Sequence, residues 1–279
     1  MLASRNYAPS PELSPFVRRY YVFDADLPEE TVIEDSLLAE NAFIRVMVKG
    51  NWETEVAPGQ WQGAGKILLF GSNSQPLKVR VKGPFRVVGF AIRPSAWRSL
   101  FKDSATLYVN RMVPLQESWG SLADELLAEI EMAKTDEDVV AAMERAVSQQ
   151  LALVKRNKID EKIAHFEIIA RTDSTIRMED VSNQIGLSVR QLERRCLGSY
   201  GISPKAILRR SRFLDMAESM RGFSSPGDQV LATLRYFDQS HLNREFRHFS
   251  GMTPGKFAKA TTPLFTAGLK LRVEGKGIE

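Results

Sequence analysis

A self-match at an offset of 50 residues constrains this 279-residue chain more than any other feature. Gly201-Ile202-Ser203-Pro204-Lys205-Ala206-Ile207 is echoed by Gly251-Met252-Thr253-Pro254-Gly255-Lys256-Phe257. Upstream, Leu192 and Arg194 correspond to Leu242 and Arg244, and Cys196 stands where the second copy has Phe246. A hydroxyl residue followed by proline starts a helix, because the hydroxyl caps a free N–H and proline at the first helical position lacks one to satisfy. The preceding glycine suits the left-handed end of the helix before it. Each copy therefore reads as helix, stop, capped helix.

The first unit opens with a helix from Met178 to Ile185. Gly186-Leu187 forms the turn, and Ser188-Val189-Arg190-Gln191 is a capping box that begins the next helix. Leu192 faces inward, leaving Arg190, Gln191, Arg194 and Arg195 outward. A helix-turn-helix lays its second helix in the major groove with the N-terminal side chains toward base edges. Arginine can bind guanine there through two hydrogen bonds, and glutamine can bind adenine. In the second unit, Asp228 to Arg235 is expected to be the supporting helix. Asp238 caps the next, with Ser240, His241, Asn243 and Arg244 on its exposed first turns. A long helix from Pro204 to Arg221, carrying Arg209, Arg210 and Arg212, joins the units and would hold the reading helices apart. Successive major-groove segments on one face of DNA lie ~34 Å apart.

Charge follows the same division. Residues 155–260 hold 19 Lys+Arg against 12 Asp+Glu, a net +7, whereas residues 1–154 hold 16 against 20, a net −4. A basic C-terminal half beside an acidic N-terminal one points to a polyanionic partner for the former. His165, His241 and His248 all lie in the basic half. With no His or Cys before residue 155, a His-ligated metal site or a nucleophile–histidine pair within the N-terminal half is excluded. Gly63-Ala64-Gly65-Lys66-Ile67 has Gln60 and Ile67 where a phosphate loop needs glycine and Ser/Thr, so it reads as a turn. No G-x-S-x-G or H-E-x-x-H motif occurs, and nothing calls for catalysis, a cofactor or a metal. The single cysteine excludes an internal disulfide. No apolar run is long enough to span a membrane, and no secretory signal is seen, so a cytoplasmic location is expected.

The N-terminal half reads as β from Val17 to Ile92. Ile44, Val46 and Val48 alternate with Arg45, Met47 and Lys49, and Leu77, Val79 and Val81 alternate with Lys78, Arg80 and Lys82, the period of half-buried strands. Short strands with turns at this spacing predict a sandwich or barrel. Two amphipathic helices follow, within about residues 118–157. Leu122, Leu126 and Ile130 mark the first; Val139, Met143, Val147, Leu151 and Val154 mark the second, a stripe that suits either core packing or a dimer seam. The expected division is a β-rich sensor or dimerisation domain over 1–158, a tandem helix-turn-helix domain over 159–260, and a frayed tail over 261–279. If the β domain binds a ligand, Trp52, Trp61, Phe70, Phe85 and Phe90 are candidates to line the site, with Arg45, Arg80 or Glu34 orienting the ligand.

The run from Ser188 to Tyr200, the linking helix, and above all Tyr236-Phe237-Asp238-Gln239-Ser240-His241-Leu242-Asn243-Arg244-Glu245-Phe246-Arg247 followed by Gly251-Met252-Thr253-Pro254 resembles the AraC/XylS family of bacterial transcriptional regulators. The resemblance covers about residues 160–260. It implies an α+β multidomain protein, with an N-terminal β-barrel or cupin-like domain trailed by helices and an all-α domain of two helix-turn-helix units joined by a long helix. It also implies that Arg190, Glu193 and Arg194 contact bases in the first unit, and Ser240, His241 and Arg244 in the second, with Gln239 near the DNA backbone. A small-molecule effector, RNA polymerase and a second copy of the chain are the further partners it implies. The alternative is a ligand-independent regulator whose N-terminal domain serves only dimerisation or protein contacts. Three positions depart from the family pattern: Arg235 replaces a turn glycine, Cys196 a core aromatic, and Ser182 an alanine.

Overall fold

The computed structural model describes residues 2–38, 40–63, 65–155, 158–225 and 238–275. Ten strands occur among them: β1 (Leu2–Tyr7), β2 (Val17–Ala25), β3 (Val32–Leu37), β4 (Phe43–Lys49), β5 (Trp52–Ala57), β6 (Gln60–Gly63), β7 (Ile67–Phe70), β8 (Leu77–Lys82), β9 (Phe85–Ile92) and β10 (Met112–Pro114). They pair antiparallel into a six-stranded sheet, β1-β2-β9-β4-β7-β10, and a four-stranded sheet, β3-β8-β5-β6. The sheets face one another but do not close, so the expected barrel is an open two-sheet fold. Tyr21, Phe23, Phe43, Phe70 and Phe85 of the larger sheet and Leu37, Trp52, Val79 and Val81 of the smaller fill the space between them.

Helices cover the other face of the six-stranded sheet. They are α1 (Trp97–Leu100), α2 (Gln116–Trp119), α3 (Ser121–Met132) and α4 (Asp136–Val154). Leu122, Leu126 and Ile130 of α3 and Val139, Met143, Val147 and Leu151 of α4 pack with Ile44, Val46, Val88 and Phe90 in one core. The α4 stripe is thus spent inside the chain, and the dimer-seam reading of it falls. Because both faces of the larger sheet are covered, β4 is not half-exposed as its alternation suggests. Ile44 and Val46 meet the helices, while Phe43 and Met47 point between the sheets. Arg45 shares their side of the strand.

The C-terminal half is helical: α5 (Glu161–Thr172), α6 (Met178–Ile185), α7 (Val189–Tyr200), α8 (Pro204–Met220), α9 (Gln239–Ser250), α10 (Pro254–Lys259) and α11 (Pro263–Gly275). Ile163, Phe166, Val181, Ile185, Leu192, Cys196, Tyr200 and Ile207 form the core of the first unit. Phe213, Ala217, Phe246, Phe249 and Phe257 form that of the second. The supporting helix expected from Asp228 to Arg235, the departure at Arg235, and Tyr236-Phe237 lie outside the described residues.

The frayed tail expected after Ala260 is corrected by α11. Its Leu264 and Leu271, one heptad apart, enter the core between the sheets, while Phe265 and Leu269 enter the core of the second helical unit. The Asp35 carboxylate of β3 caps the start of the helix, accepting from the N–H groups of Leu264 (2.8 Å) and Phe265 (3.1 Å). Proline opens this segment, and both apolar faces are short, so the pattern lacks the single broad stripe that marks an amphipathic helix. Each face finds its partner in a different domain.

Candidate nucleic-acid interface and ligand cavity

Local chemistry sets both reading helices. Gly186 adopts φ 71°, ψ 42°, the left-handed corner after α6. Ser188 Oγ accepts from the Gln191 N–H (3.2 Å), and Gln191 Oε1 accepts from the Ser188 N–H (2.9 Å), closing the expected capping box. Asp238 likewise caps α9 through the His241 N–H (2.6 Å). Ser203 and Thr253 cap α8 and α10 ahead of their prolines.

On α7, Arg190, Gln191, Glu193 and Arg194 are all exposed, while Leu192 and Cys196 are buried beneath them. Gln191 is engaged in its own cap, and Arg195 is drawn aside by Asp160 at the start of α5 (2.6 Å), so Arg190, Glu193 and Arg194 remain projecting. On α9, Gln239, Ser240 and Arg244 are exposed and His241 and Asn243 are half-buried. The helices therefore present two short polar faces, each over an apolar floor. Cys196 lies in the core of the first unit, and that burial pushes its thiol well above its ordinary range.

Three arginines of α8 are engaged within the chain. Arg209 grips the buried Glu245 of α9 with three hydrogen bonds of 2.8–3.2 Å, orienting the second reading helix. Arg210 is buried and donates to the carbonyls of Glu40 (2.7 Å) and Asn73 (3.3 Å) and to Asn41 Oδ1, all in the β domain. Arg212 donates to the Ser174 carbonyl. Glu245 was legible in principle: it shares the inward face of α9 with Leu242 and Phe249 at helical spacing. No sequence signal marks Arg210, because its acceptors, two backbone carbonyls and the Asn41 side chain, are more than a hundred residues away.

The first unit also rests on the β domain. Gly201 ends α7 at φ 79°, and a Cβ there would lie 2.4 Å from Val109 Cγ2 and 2.6 Å from the Ala105 carbonyl oxygen. The Asp160 N–H donates to the Ser95 carbonyl (2.9 Å), and Ser99 Oγ to the Lys158 carbonyl (3.1 Å).

Of the candidate ligand residues, Arg45 and Trp52 come together and Arg80 and Trp61 do not join them. The Arg45 guanidinium lies between the sheets, 4.8 Å from the Phe43 ring centre, 4.9 Å from Trp52 and 5.0 Å from Phe70. Its Nε donates to Tyr21 Oη (3.4 Å), its Nη1 is buried with no hydrogen-bond partner, and no carboxylate among the described residues pairs with it. Gly89 stands opposite Arg45, and a Cβ there would meet Tyr21 Oη at 2.6 Å. Phe70 and Phe85 also face this space, whereas Phe90 packs on the helical side. Arg80 alternates with buried Val79 and Val81. It therefore sits on the outer face of the smaller sheet, stacked on Trp61 (4.7 Å) and paired with Glu53 (2.7 Å) and Glu34 (3.8 Å). The cavity beside Arg45 is small, about 40 Å³, and is walled by Phe23, Leu38, Phe43 and the α11 residues Leu264, Gly268 and Leu271.

Among the described residues, one capped helix-turn-helix (α6–α7) and a second capped helix of the same pattern (α9) follow a β-rich N-terminal domain, the arrangement of a DNA-binding protein. Comparisons with known proteins agree. Residues 181–260 match the family described as a helix-turn-helix domain, and residues 5–114 match a domain family of unknown function (DUF6597). No curated protein matches the chain. Among solved structures, ToxT from Vibrio cholerae at 1.65 Å is similar in fold, with a TM-score of 0.50 at 11% identity over 86% of this chain and 98% of that one. ToxT with a bound unsaturated fatty acid gives 0.46 at 12% identity, covering 86% of this chain and 94% of that one. ToxT with (E)-4-(8-methylnaphthalen-1-yl)but-3-enoic acid gives 0.46 at 12% identity, covering 92% and 98%. The chain thus carries a helix-turn-helix domain over residues 181–260, and over most of its length it shares the fold of ToxT.

Proposed function

We propose that the chain is a sequence-specific transcriptional regulator whose two reading helices enter neighbouring major-groove segments and whose DNA affinity is set by a small molecule held in the β domain. The observation that carries the DNA-binding reading is the pairing of caps with exposed polar first turns. On this reading Arg190, Glu193 and Arg194 on α7, and Ser240, His241 and Arg244 on α9, are the base-contacting side chains, with Gln239 near the DNA backbone. Two reading helices per chain let a monomer bind. Changing transcription from such a site requires RNA polymerase as a further partner, and this work belongs in the cytoplasm. A homodimer would use a surface other than the α4 stripe, whose Val139, Met143, Val147 and Leu151 are spent in the chain's own core.

Arg244→Ala is expected to weaken binding to a selected site by ~1–3 kcal/mol and to relax preference at one base position. Equilibrium binding to a selected and a random duplex measures both. Equal losses on the two would contradict base reading by Arg244.

Arg45 supports the effector reading. A buried guanidinium nitrogen with no acceptor, surrounded by aromatic rings and aliphatic walls, suits a carboxylate carrying an apolar tail. Such a ligand exceeds the present cavity, so α11 must shift to admit it. The opposite side of α11 is part of the second unit's core, which links occupancy of the cavity to the placement of α9. Decanoate is therefore expected to raise the thermal midpoint saturably and decanol is not. Arg45→Met should lower decanoate affinity about 10- to 100-fold, the worth of a charge-assisted hydrogen bond of about 1.5–3 kcal/mol. Equal responses from wild type and variant would overturn this site.

A further inference from the structure

Two large apolar side chains stand exposed on the first reading helix, Val189 at 41% exposure and Leu197 at 36%. Neither is needed beneath α7, whose floor is filled by Leu192, Cys196 and Tyr200. Residues four apart on a helix stand one above the other. Val189, Glu193 and Leu197 therefore form one ridge, and Arg190 and Arg194 form the ridge beside it. All five are exposed. A single exposed apolar residue needs no partner. Two on one ridge, with a carboxylate between them, make a pattern with a definite chemical complement.

The second reading helix supplies an internal comparison. At the repeat offset of 50 residues, Val189, Glu193 and Leu197 correspond to Gln239, Asn243 and Arg247 of α9. That ridge is polar throughout, with Gln239 and Arg247 exposed and Asn243 half-buried. Of the two outward ridges, only that of the first unit carries apolar side chains.

In the major groove thymine presents a 5-methyl group, which an apolar side chain meets, and cytosine presents an amino group, which a carboxylate meets. Guanine presents two acceptors that suit arginine. The apolar ends and central carboxylate of the first ridge thus match pyrimidines, while the arginine ridge beside it matches purines. At ~1.5 Å per residue, Val189 and Leu197 lie ~12 Å apart along the helix axis. Bases of one strand rise ~3.4 Å each, so the ridge spans about three to four base steps.

We propose, resting on the DNA-binding reading of α7, that Val189 and Leu197 are specificity-determining residues that contact thymine methyl groups near the two ends of the first box. Glu193 accepts from a cytosine amino group between them, and Arg190 and Arg194 face the complementary, purine-rich strand. The box read by α9 carries no such dependence on methyl groups.

The test uses the full chain and a duplex carrying the two boxes selected from a random pool. Deoxyuridine replaces thymine in one box at a time, which removes only the 5-methyl group. The α9 box is the one whose preference is lost with Arg244→Ala. Uracil in the α7 box is expected to weaken binding about fourfold per contacted thymine, the worth of one buried CH₂, and uracil in the α9 box to have no such effect. Val189→Ser and Leu197→Gln, both at exposed positions, should each lose the sensitivity to uracil at one thymine and keep it at the other. In a repeated selection, Glu193→Gln should move the central preference from cytosine toward adenine. Equal sensitivity in the two boxes, or a sensitivity in the α7 box that neither variant alters, would overturn the assignment while leaving DNA reading by α7 intact. Insensitivity of the wild type to uracil in the α7 box, or an α7 box without thymine, would also overturn it and leave the two side chains to a protein contact. A selection that returns no α7 box would overturn the DNA-binding reading of α7 and this proposal with it.

Discussion

Phe213→Ala is expected to destabilise the chain by about 3–5 kcal/mol and to release the second reading unit together with α11. Phe213 is fully buried, with ring centres 5.1 Å from Phe246, 5.2 Å from Phe249 and 6.2 Å from Phe265. It thus joins the long linking helix, the second reading helix and the C-terminal helix. Truncation leaves a cavity that none of the three can fill without moving. Because domain stabilities are only ~5–15 kcal/mol, a loss of this size opens the region locally before the rest. Hydrogen exchange should show residues 239–260 and 263–275 losing protection together while α6 and α7 keep theirs. Equal loss of protection in α6 and α7, or unchanged protection of α11, would contradict the shared core. Binding should fall to that of one reading helix, with preference kept only at the box read by α7.

Gly201→Ala and Gly251→Ala form a matched pair with unequal outcomes. Both glycines end a reading helix at positive φ, 79° and 72°, so alanine at either carries a similar backbone cost of about 1 kcal/mol. Around Gly251 the nearest side-chain atom is Pro76 Cγ at 3.8 Å, an ordinary contact. Around Gly201 the added methyl would strike Val109 and the Ala105 carbonyl, and overpacking of this kind costs about 1–3 kcal/mol more. Denaturant unfolding of the two variants should therefore rank Gly201→Ala well below Gly251→Ala. The difference reports on the seat between α7 and the β domain. Equal stabilities would mean that the first reading unit does not rest there.

The helical half was legible because its signals are local. Caps at Ser188, Ser203, Asp238 and Thr253 and the glycine stops lie within a few residues of the structures they define, and their hydrogen bonds form as the spacing requires. The existence of strands was equally legible, but the sheets they build depend on long-range pairing. β1 and β10 went unread: β1 mixes polar and apolar residues without a run, and β10 is three residues long. Which face of β4 meets water could not be read from its alternation, since a second sheet covers the side carrying Arg45. The same limit applies to α8. In the sequence Arg209, Arg210 and Arg212 are only basic residues carried by the linking helix, and their partners, Glu245, the β-domain loops and the Ser174 carbonyl, are distant in the chain. Helix α11 was hidden because its two faces serve two different cores.

The central claim, sequence-specific reading by two helices of one chain, is tested most directly by selecting bound duplexes from a random pool at about 150 mM salt, where non-specific binding is weak at ~10⁻⁴–10⁻⁶ M. The account predicts enrichment of two short boxes with centres about one helical turn apart, roughly 10 base pairs, and the loss of one box when Arg244 is replaced. Retention of folded protein on DNA with no enriched sequence, in the presence and absence of decanoate, would contradict it.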